Sequence, residues 1–495
     1  MRNPAVLALV ANFVLRAVIA WSAPDHAAPA QQPLVAPIMG AGSRQKHGNV
    51  SEEQVWRLNL ESMGQEERNI ARDVIETMDL DIWRSAPSSL DVRLPSHQIS
   101  HLRALLPPST NFTLFILSVQ SLIDSSSISL SAHTAEDETW NVSTLLTPFH
   151  DHYHPLADMY RFAEALVGAF NGKSVGDGRL RMETFVIGKT WEKMEMKGVR
   201  VKWVPDTGES GLKGKKGKGK KGKKIIEREL VIQAGSHARE WVGPSSAIYF
   251  FHSLLLAGTA DSESDEASLL KAFTFTVVPT INPDGYEYSR EHRMWRKNRQ
   301  DTGSRTCSGI DLNSNWGYKW RKPLRPNPCS DAYPGADAFE AYETKAMARY
   351  LKKGVEWAEE KGEKKGPERK VRAFIDLHSY GQLFMFPFAH SCDDFPPDAE
   401  MLMEAALGVA KAIRADHGET YQTGQACELT YRAPGDAIDY AYGTADVRWS
   451  FSAELRDTGT YGFLLPPHLI RPAADEITTG LVHLAKFIYN VEIVN

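Results

Sequence analysis

Several classes of protein are excluded by what this 495-residue chain lacks. It has only four cysteines, and no two are spaced as Cys-x-x-Cys, which excludes a zinc-knuckle site. After the first twenty residues, no apolar run approaches the length that crosses a membrane. No internal repeat is visible, and a content of 42% hydrophobic and 24% charged residues excludes wholesale disorder, collagen and coiled coils. The composition is that of a globular chain with a large core.

A local excess of basic charge marks one segment. The net charge is −5, yet residues 211–224 hold eight lysines and no acid, so the remainder is strongly acidic. Folds that bind nucleic acid spread Lys and Arg over a face or groove, so we expect no nucleic-acid partner. The Lys/Gly-rich segment stands between predicted strands at 201–204 and 225–227, which predicts a solvated hairpin loop. A polyanion-binding role is the alternative for this loop.

The first twenty residues are typical of a secretory signal. Arg2 precedes an almost wholly apolar run, and cleavage is predicted near Ala20. A membrane anchor is the alternative, but the run is short and Arg16 interrupts it. Residues 21–49 have no hydrophobic period and predict a flexible lead-in. We therefore expect a secreted, extracellular protein, with the vacuole as an alternative, and no membrane contact once the signal is removed.

The cysteines and glycosylation motifs fit an exported chain. Four cysteines permit three pairings into two disulfides, and sequence proximity favours Cys307 with Cys329 and Cys392 with Cys427. Three Asn-x-Ser/Thr sequences are candidate glycan acceptors, namely Asn49, Asn111 and Asn141.

The pattern of apolar residues divides the chain into a small and a large unit. Short strands at 54–60, 91–94 and 113–119 and a helical pattern at 64–78 indicate a small α+β domain over residues 50–124. A Ser-, Thr- and acid-rich linker is predicted at 125–147. Residues 148–495 alternate apolar strands with helices, which predicts an α/β sandwich of three layers around a mixed, largely parallel sheet. The strands are predicted at 230–235, 272–278, 371–377 and 449–455, and the helices at 245–256, 339–352, 398–415 and 473–489.

Two histidines and a glutamate stand where predicted strands end. His237 and Glu240 follow strand 230–235, and His378 follows strand 371–377. Ligand sites in open α/β sheets gather outside the carboxyl ends of the strands, so these side chains are expected to meet. Imidazole and carboxylate groups bind zinc, and three protein ligands leave a position for water, as in catalytic sites. The sequence predicts one Zn²⁺ per chain at this place.

Four motifs in order resemble the zinc metallocarboxypeptidases of the carboxypeptidase A/B kind. They are His237-x-x-Glu240, Asn282-Pro-Asp-Gly-Tyr286 with Arg293-Met-Trp-Arg-Lys297, Leu377-His-Ser-Tyr380, and Glu454-Leu-Arg-Asp-Thr-Gly459. Upstream, residues 54–60, 80–84, 91–95 and 119–123 are similar to the activation segment of procarboxypeptidases. The resemblance covers roughly residues 50–495 apart from the Lys/Gly insertion. It implies an activation domain at 50–124 and a catalytic domain at 148–495.

The resemblance also implies a role for each matching residue. The zinc ligands would be His237, Glu240 and His378, with Asp311 orienting the first histidine. Glu454 would act as general base, and Arg296 would stabilise the oxyanion. The substrate and its terminal carboxylate would be held by Arg239, Asn313 and Tyr431. Ile438 would form an apolar pocket floor, which favours large apolar or aromatic C-terminal residues.

Some of these residues also have structural interpretations. Glu454 could form a salt bridge with Arg456, and Tyr431 could be an exposed loop aromatic.

The family's second carboxylate-binding arginine should follow Asn313, but Ser314 stands there, which removes a contact worth about 1.5–3 kcal/mol. Arg432 is the candidate replacement cation.

Activation also departs from the family's pattern. No Lys or Arg occurs between Arg103 and Arg161, so cleavage of a trypsin-like kind has no target at the expected junction. The chain is similar, too, to a fungal branch of the family described as inactive and linked to cell-wall biogenesis. The sequence thus predicts a secreted, monomeric zymogen that acts on peptide or protein C-termini, with its own propeptide as a partner. The alternatives are a zinc-binding pseudo-peptidase and a polyanion-binding wall protein.

Overall fold

The computed structural model describes residues 52–131, 140–206, 226–357 and 368–494, which all fall within one folding unit, Ser51–Asn495. The predicted signal at 1–20, the lead-in at 21–49, Asn49 and the Lys/Gly-rich loop lie outside the described residues. In the part of the chain that is described, every helix is too short or too polar to span a bilayer.

The described residues up to 131 form a four-stranded antiparallel sheet in the order β2-β3-β1-β4. Alternation of apolar and polar residues gives β1 an inner face, and its buried Leu58 packs with Leu90, Val92 and the helical Ile75. The elements in chain order are β1 (Glu53–Asn59), α1 (Gln65–Thr77), β2 (Asp81–Ala86), β3 (Ser89–Pro95), α2 (Ile99–Leu105), β4 (Asn111–Ile116) and α3 (Val119–Ser131).

Helix α3 differs from the sequence expectation. The strand predicted at 113–119 ends three residues early, and residues 125–131 of the predicted linker are helical. The apolar Val119, Leu122 and Ile123 recur at helical spacing and pack against the small sheet, so their burial outweighs the serine-rich composition. The remainder of the predicted linker is described only from Trp140 onward.

The second sheet has nine strands in the order β12-β11-β13-β10-β8-β9-β7-β6-β5. Its central strands β13, β10, β8 and β9 are mutually parallel, and antiparallel pairs flank them. The strands are β5 (Ser174–Val175), β6 (Gly178–Lys189), β7 (Glu195–Pro205), β8 (Ile226–Ala234), β9 (Thr274–Val278), β10 (Glu368–Ser379), β11 (Leu383–Phe386), β12 (Gln422–Gln425) and β13 (Trp449–Leu455).

Helices cover both faces of this sheet. Leu230 and Ile232 of β8 face one apolar core, whereas Val231 between them faces the other. This alternation follows from the strand period of two and confirms the predicted three-layer α/β arrangement around a mixed sheet. The helices are α4 (Leu156–Phe170), α5 (Val242–Ala260), α6 (Asp265–Ala272), α7 (Pro283–Glu291), α8 (Tyr342–Lys353), α9 (Ala399–His417), α10 (Ala426–Leu429), α11 (Ala437–Gly443) and α12 (Ile470–Tyr489).

The predicted hairpin around the Lys/Gly-rich loop is wrong. Strands β7 and β8 on either side of that loop do not pair, because β9 lies between them. Every residue of β9 is buried, and the strand pairs in parallel with β8 and antiparallel with β7. A buried central strand needs hydrogen-bond partners on both edges, and this requirement separates two strands that are neighbours in sequence.

Two disulfides lie in the large unit, and one of them joins a loop to helix α10. The structure links Cys307 to Cys329 and Cys392 to Cys427, the pairing that sequence proximity favours. Of the candidate glycan acceptors, Asn111 and Asn141 are exposed. Asn111 begins β4, which lies at the edge of the small sheet.

Candidate metal centre and substrate cleft

The candidate site lies where three adjacent parallel strands end. Leu377 of β10 pairs with Ala234, the last residue of β8, and His378 pairs with Glu454 of β13. His237 and Glu240 follow β8 directly, so strand register brings all four candidate residues to one edge. This is the carboxyl edge at which α/β sheets bind ligands.

Three side chains converge at this edge. Glu240 Oε1 lies 2.7 Å from His237 Nδ1, and its Oε2 lies 3.1 Å from His378 Nδ1. The two Nδ1 atoms are 3.2 Å apart. All three residues are buried, and one ligand atom from each lies within 4.8 Å of the others. Burial would raise the pKa of Glu240, but the facing histidines lower it below its usual value.

The outer nitrogens of both imidazoles face carboxylates. His237 Nε2 lies 3.2 Å from Asp311 Oδ1, and His378 Nε2 lies 3.0 Å from Asp376 Oδ2. A carboxylate at this distance favours a proton on Nε2, so both Nδ1 lone pairs point at each other and at Glu240. Three buried lone-pair donors facing one another suit a cation, and the mixture of nitrogen and oxygen atoms suits zinc. The residues therefore fit the predicted zinc ion.

Arg296 stands beside the convergent side chains. Its Nη2 donates to Asp311 Oδ2 at 3.2 Å, and its Nη1 lies 4.0 Å from Glu240 Oε1. Burial would lower the pKa of Arg296, but Asp311 raises it above its usual value. The guanidinium is therefore a permanent positive charge next to the candidate metal position.

Glu454 lacks the salt bridge that the sequence allowed as an alternative. Arg456 instead pairs with Glu419 and Glu476. Within the described structure, the buried Glu454 Oε2 atom has no hydrogen-bond partner. Burial and the nearby negative charge of Glu240 raise the pKa of Glu454 to about 8. Such a carboxyl exchanges a proton near neutral pH.

Asn313 contacts a residue that sequence reasoning missed, Asp436. Asn313 Nδ2 donates to Asp436 Oδ2 at 2.9 Å, and Asn313 Oδ1 accepts from the backbone N–H of Ala437. Burial and the nearby Asp439 raise the pKa of Asp436 well above its usual value. Ser314 donates from Oγ to Asp311 Oδ2 at 2.9 Å. One sequence feature could have identified Asp436. It directly precedes the apolar first residues of a helix, a position at which Asp is a preferred cap.

The other predicted substrate-binding residues differ in accessibility. Ile438 is fully buried, in the same apolar core as Trp316. Tyr431 is 47% exposed, but burial of its hydroxyl raises the pKa of Tyr431, an effect that Arg296 partly offsets. Arg432 does not replace the missing arginine, because its guanidinium pairs with Asp393 at the surface.

Arg239 is covered by the small sheet. Its Nη1 lies 3.0 Å from both carboxylate oxygens of Asp81 in β2 and 3.3 Å from Asp331 Oδ2. Burial would raise the pKa of Asp81, but Arg239 and Arg93 lower it. Within the described structure, the Arg239 side chain is almost completely buried, at 1% exposed.

Aromatic packing extends this cover over the cleft. Trp83 of β2 lies 5.0 Å from Phe463 and 6.5 Å from Tyr380, measured between ring centroids. The Tyr380 hydroxyl donates to Asp91 Oδ2 at 3.1 Å, and Arg57 holds the same carboxylate. The small sheet therefore contacts the residues next to His378.

The fold and the convergent side chains define an α/β protein with a candidate zinc centre, and comparison with known proteins supports this class. A family model described as zinc carboxypeptidase matches residues 179–480. The chain is 33% identical over 436 residues to "Inactive metallocarboxypeptidase ECM14" of Paracoccidioides brasiliensis strain Pb03, covering 83% of this chain and 68% of that protein. It is 32% identical over 457 residues to the protein of the same name from Talaromyces marneffei, covering 87% and 71%.

Solved structures share the fold. Thrombin activatable fibrinolysis inhibitor matches with a TM-score of 0.66 and 26% identity, over 88% of this chain and 98% of that one. Carboxypeptidase A from Helicoverpa armigera matches with a TM-score of 0.71 and 22% identity, over 90% and 100%. The chain belongs to the zinc carboxypeptidase family.

Proposed function

We propose that this protein is a secreted zinc-dependent carboxypeptidase, made as a zymogen, that hydrolyses the peptide bond before an apolar C-terminal residue. The observation that carries the proposal is the arrangement of His237, Glu240 and His378. Their three ligand atoms face one another, while both outer imidazole nitrogens face carboxylates. This donor set would hold one zinc ion and leave a position open on the cleft side.

The surrounding residues supply the other parts of a hydrolytic site. When bound, zinc would polarise the scissile carbonyl and lower the pKa of water. Glu454 has no competing partner on Oε2, so it can accept a proton from that water and deliver it to the departing amine. Arg296 can donate to the carbonyl oxygen as negative charge develops there. The resemblance places Ile438 at the floor of the side-chain pocket, and its apolar side chain supports preference for apolar or aromatic residues, because a charged side chain would find no partner on it.

The small sheet is proposed to be the activation domain and the chain's own inhibitory partner. This role is supported by the contact of Asp81 with Arg239 and of Trp83 with Phe463, which together cover the cleft. The absence of Lys and Arg from residue 104 to residue 160 implies an activating protease that does not need a basic residue.

Secretion is supported by several independent features. The amino-terminal sequence reads as a signal, and two disulfides are typical of oxidising compartments. Exposed Asn111 and Asn141 are candidate glycan sites. We propose a monomer outside the cell that acts on peptide or protein C-termini and uses neither a membrane nor nucleic acid.

A second candidate function is a catalytically inactive, zinc-binding protein of cell-wall organisation. It is favoured by the names of the similar fungal proteins and by Ser314, which stands where the family has a second carboxylate-binding arginine. Glu454 argues against an inactive protein, because this proposed general base is present and its Oε2 atom has no hydrogen-bond partner in the described structure.

The distinguishing experiment measures zinc content and turnover together. The full chain, given a specific protease site within residues 132–139, is cleaved there and loaded with zinc. Release of Phe from a blocked dipeptide is then compared between the parent and Glu454→Gln. Turnover by the parent, with at least about a hundredfold loss in the variant, supports the enzyme. Stoichiometric zinc with no turnover by either protein favours the inactive protein.

A further inference from the structure

We infer that an exposed basic loop beside the cleft binds an acidic segment of the protein substrate whose C-terminus enters the cleft. The loop consists of residues 319–327 and is named the rim loop. The inference rests on the proposed function and adds the kind of substrate, a protein with acidic and apolar residues upstream of its terminus. The proposed hydrolytic reaction does not itself use this loop.

The rim loop has an excess of positive charge in an otherwise acidic chain. It contains Lys319, Arg321, Lys322 and Arg325 and no Asp or Glu, although the chain outside residues 211–224 is strongly acidic. All four of these side chains are exposed. Complementary charge steers association and selects partners, so a local reversal of charge favours an acidic partner at this place.

The cations of the rim loop are available to such a partner. Within the described residues, Arg321 and Arg325 contact no carboxylate. Lys322 Nζ lies 3.7 Å from Asp337 Oδ1, but the two side chains are 67% and 81% exposed. Ion pairs as exposed as this contribute little to stability, so Lys322 can exchange Asp337 for another acid at small cost.

An apolar side chain stands among these cations. Leu324 is 100% exposed, with the small sheet in place, and has Pro323 and Pro326 near it in the loop. Proline fixes the backbone φ, so the loop loses little conformational freedom when a partner binds. A polyanion made only of charged sugars would leave Leu324 in water, whereas a protein segment can cover it and pair with the cations around it.

The first end of the rim loop is fixed beside the cleft. Trp320 Nε1 donates to the Pro334 carbonyl oxygen at 3.2 Å. The Trp320 ring lies against Gly435, where an added Cβ would be 2.9 Å from Trp320 Cδ1. Gly435 directly precedes Asp436, which accepts a hydrogen bond from Asn313. This end of the loop therefore borders the part of the cleft that contains Asn313.

The chain beyond the second end reaches the opposite part of the cleft. Asp331 Oδ2 lies 3.3 Å from Arg239 Nη1. The chain between Trp320 and Asp331 thus passes from the Asn313 side to the Arg239 side, and these are the two residues proposed to hold the substrate. A protein whose C-terminus occupies the cleft has its adjoining residues next to this loop, which favours the substrate as the partner.

The test compares two peptides that differ only in charge. The zinc-loaded full chain, cleaved within residues 132–139 and carrying Glu454→Gln to prevent turnover, is titrated by calorimetry at low salt. The probes are acetyl-Glu-Asp-Leu-Glu-Asp-Gly-Ser-Gly-Ala-Phe and the counterpart in which Gln and Asn replace Glu and Asp. We expect the acidic peptide to bind about tenfold more tightly, and high salt to reduce this difference by screening exposed charges. Equal affinities, or tighter binding of the neutral peptide, overturn the inference.

A triple variant and a matched control locate the cause. The rim-loop variant replaces Arg321, Lys322 and Arg325 by Gln and is expected to bind both peptides with equal affinity. The control replaces three exposed cations of helix α8 by Gln and is expected to keep the preference; they are Lys345, Arg349 and Lys353. Preference that survives in the rim-loop variant, or that the control loses equally, overturns the inference.

A further variant tests the apolar contact. Leu324→Ser is expected to weaken both peptides by about threefold to tenfold, because each peptide carries a leucine that can cover this side chain. Unchanged affinities would overturn the apolar part of the inference.

Vesicles of phosphatidylserine and phosphatidylcholine test a lipid surface as the competing partner. We expect no sedimentation of the chain with these vesicles that depends on the rim loop. Sedimentation of the parent that the rim-loop variant loses, together with equal affinity for the two peptides, would overturn the inference and assign the loop to a lipid surface.

This design separates the inference from the proposed function. Preference for the acidic peptide in binding, with no turnover by the Glu454-containing chain, overturns the proposed function alone. Turnover of both peptides without preference overturns the inference alone, and binding of neither peptide overturns both.

Discussion

Asp81 in the small sheet and Arg239 beside the candidate zinc centre form a buried contact, with both carboxylate oxygens 3.0 Å from one guanidinium nitrogen. Trp83 Nε1 donates to the same carboxylate at 2.9 Å and places its ring against Phe463. Strand β2 of the small sheet therefore supplies both a charged and an apolar contact with this part of the large unit.

Substitution of Asp81 should weaken this cover. In chain cleaved within residues 132–139, Asp81→Asn is expected to weaken binding of the small domain by about tenfold to a hundredfold, because a charge-assisted contact is lost. Fragment dissociation measured by surface plasmon resonance gives the affinity. Asp73→Asn, on the exposed side of α1, is the matched control. Equal dissociation constants for Asp81→Asn and the parent would show that apolar packing alone holds the domain.

Zinc affinity should depend on Asp376. The carboxylate lies 3.0 Å from His378 Nε2, so it orients the ring and increases the basicity of Nδ1. Asp376→Asn is expected to lower zinc affinity roughly 10–100-fold, measured by competition with a chromogenic chelator. Asp446→Asn serves as control, since that carboxylate is exposed at the opposite edge of the sheet. An unchanged affinity in Asp376→Asn would remove the proposed role of this carboxylate.

Stability should fall in acid because of His154. Its ring stacks on Phe149, its Nε2 lies 2.9 Å from the Phe149 carbonyl oxygen, and burial lowers the pKa of His154 to about 4. The unfolded chain takes up this proton near pH 6.5, so stability is complete above that pH and is lost progressively down to about pH 4.

The variant His154→Phe isolates this effect, because it keeps the stacked ring without a titrating group. Between pH 7 and pH 5, the parent is expected to lose about 2 kcal/mol more of its free energy of unfolding than the variant does. Urea unfolding at the two pH values measures the difference. An identical loss in both proteins would assign the acid sensitivity to other groups.

The disulfide Cys392–Cys427 should contribute strongly to stability. It closes a loop with a sequence separation of 35 residues that includes helix α9. Replacing both cysteines by serine is expected to cost about 3–4 kcal/mol through the greater conformational freedom of the unfolded chain. The same replacement at Cys307 and Cys329, with a separation of 22, should cost slightly less. Urea unfolding of the two double variants tests this order, which a larger loss at Cys307 and Cys329 would reverse.

Much of the site could be predicted from local sequence. His237, Glu240, His378 and Glu454 each stand at the end of an apolar strand, so their meeting followed once those strands were parallel neighbours. Asp376 could also have been predicted from the sequence. It stands two positions before His378, and a strand places alternate residues on the same side. Asp436 and Asp331 lie in loops without a periodic signal, so sequence spacing gave no measure of their distance from Asn313 or Arg239.

The sequence by itself determined the strands that lead into the candidate site and which residue types stand at their ends, because burial of apolar side chains imposes a period on the chain. Only the tertiary structure decided that β9 separates β7 from β8, that Asp81 covers Arg239, and that Asp436 takes the amide of Asn313. These contacts join residues far apart in the chain. These contacts stabilise the protein only when packing removes water from both partners, and the local sequence pattern does not show which distant residues will be packed together.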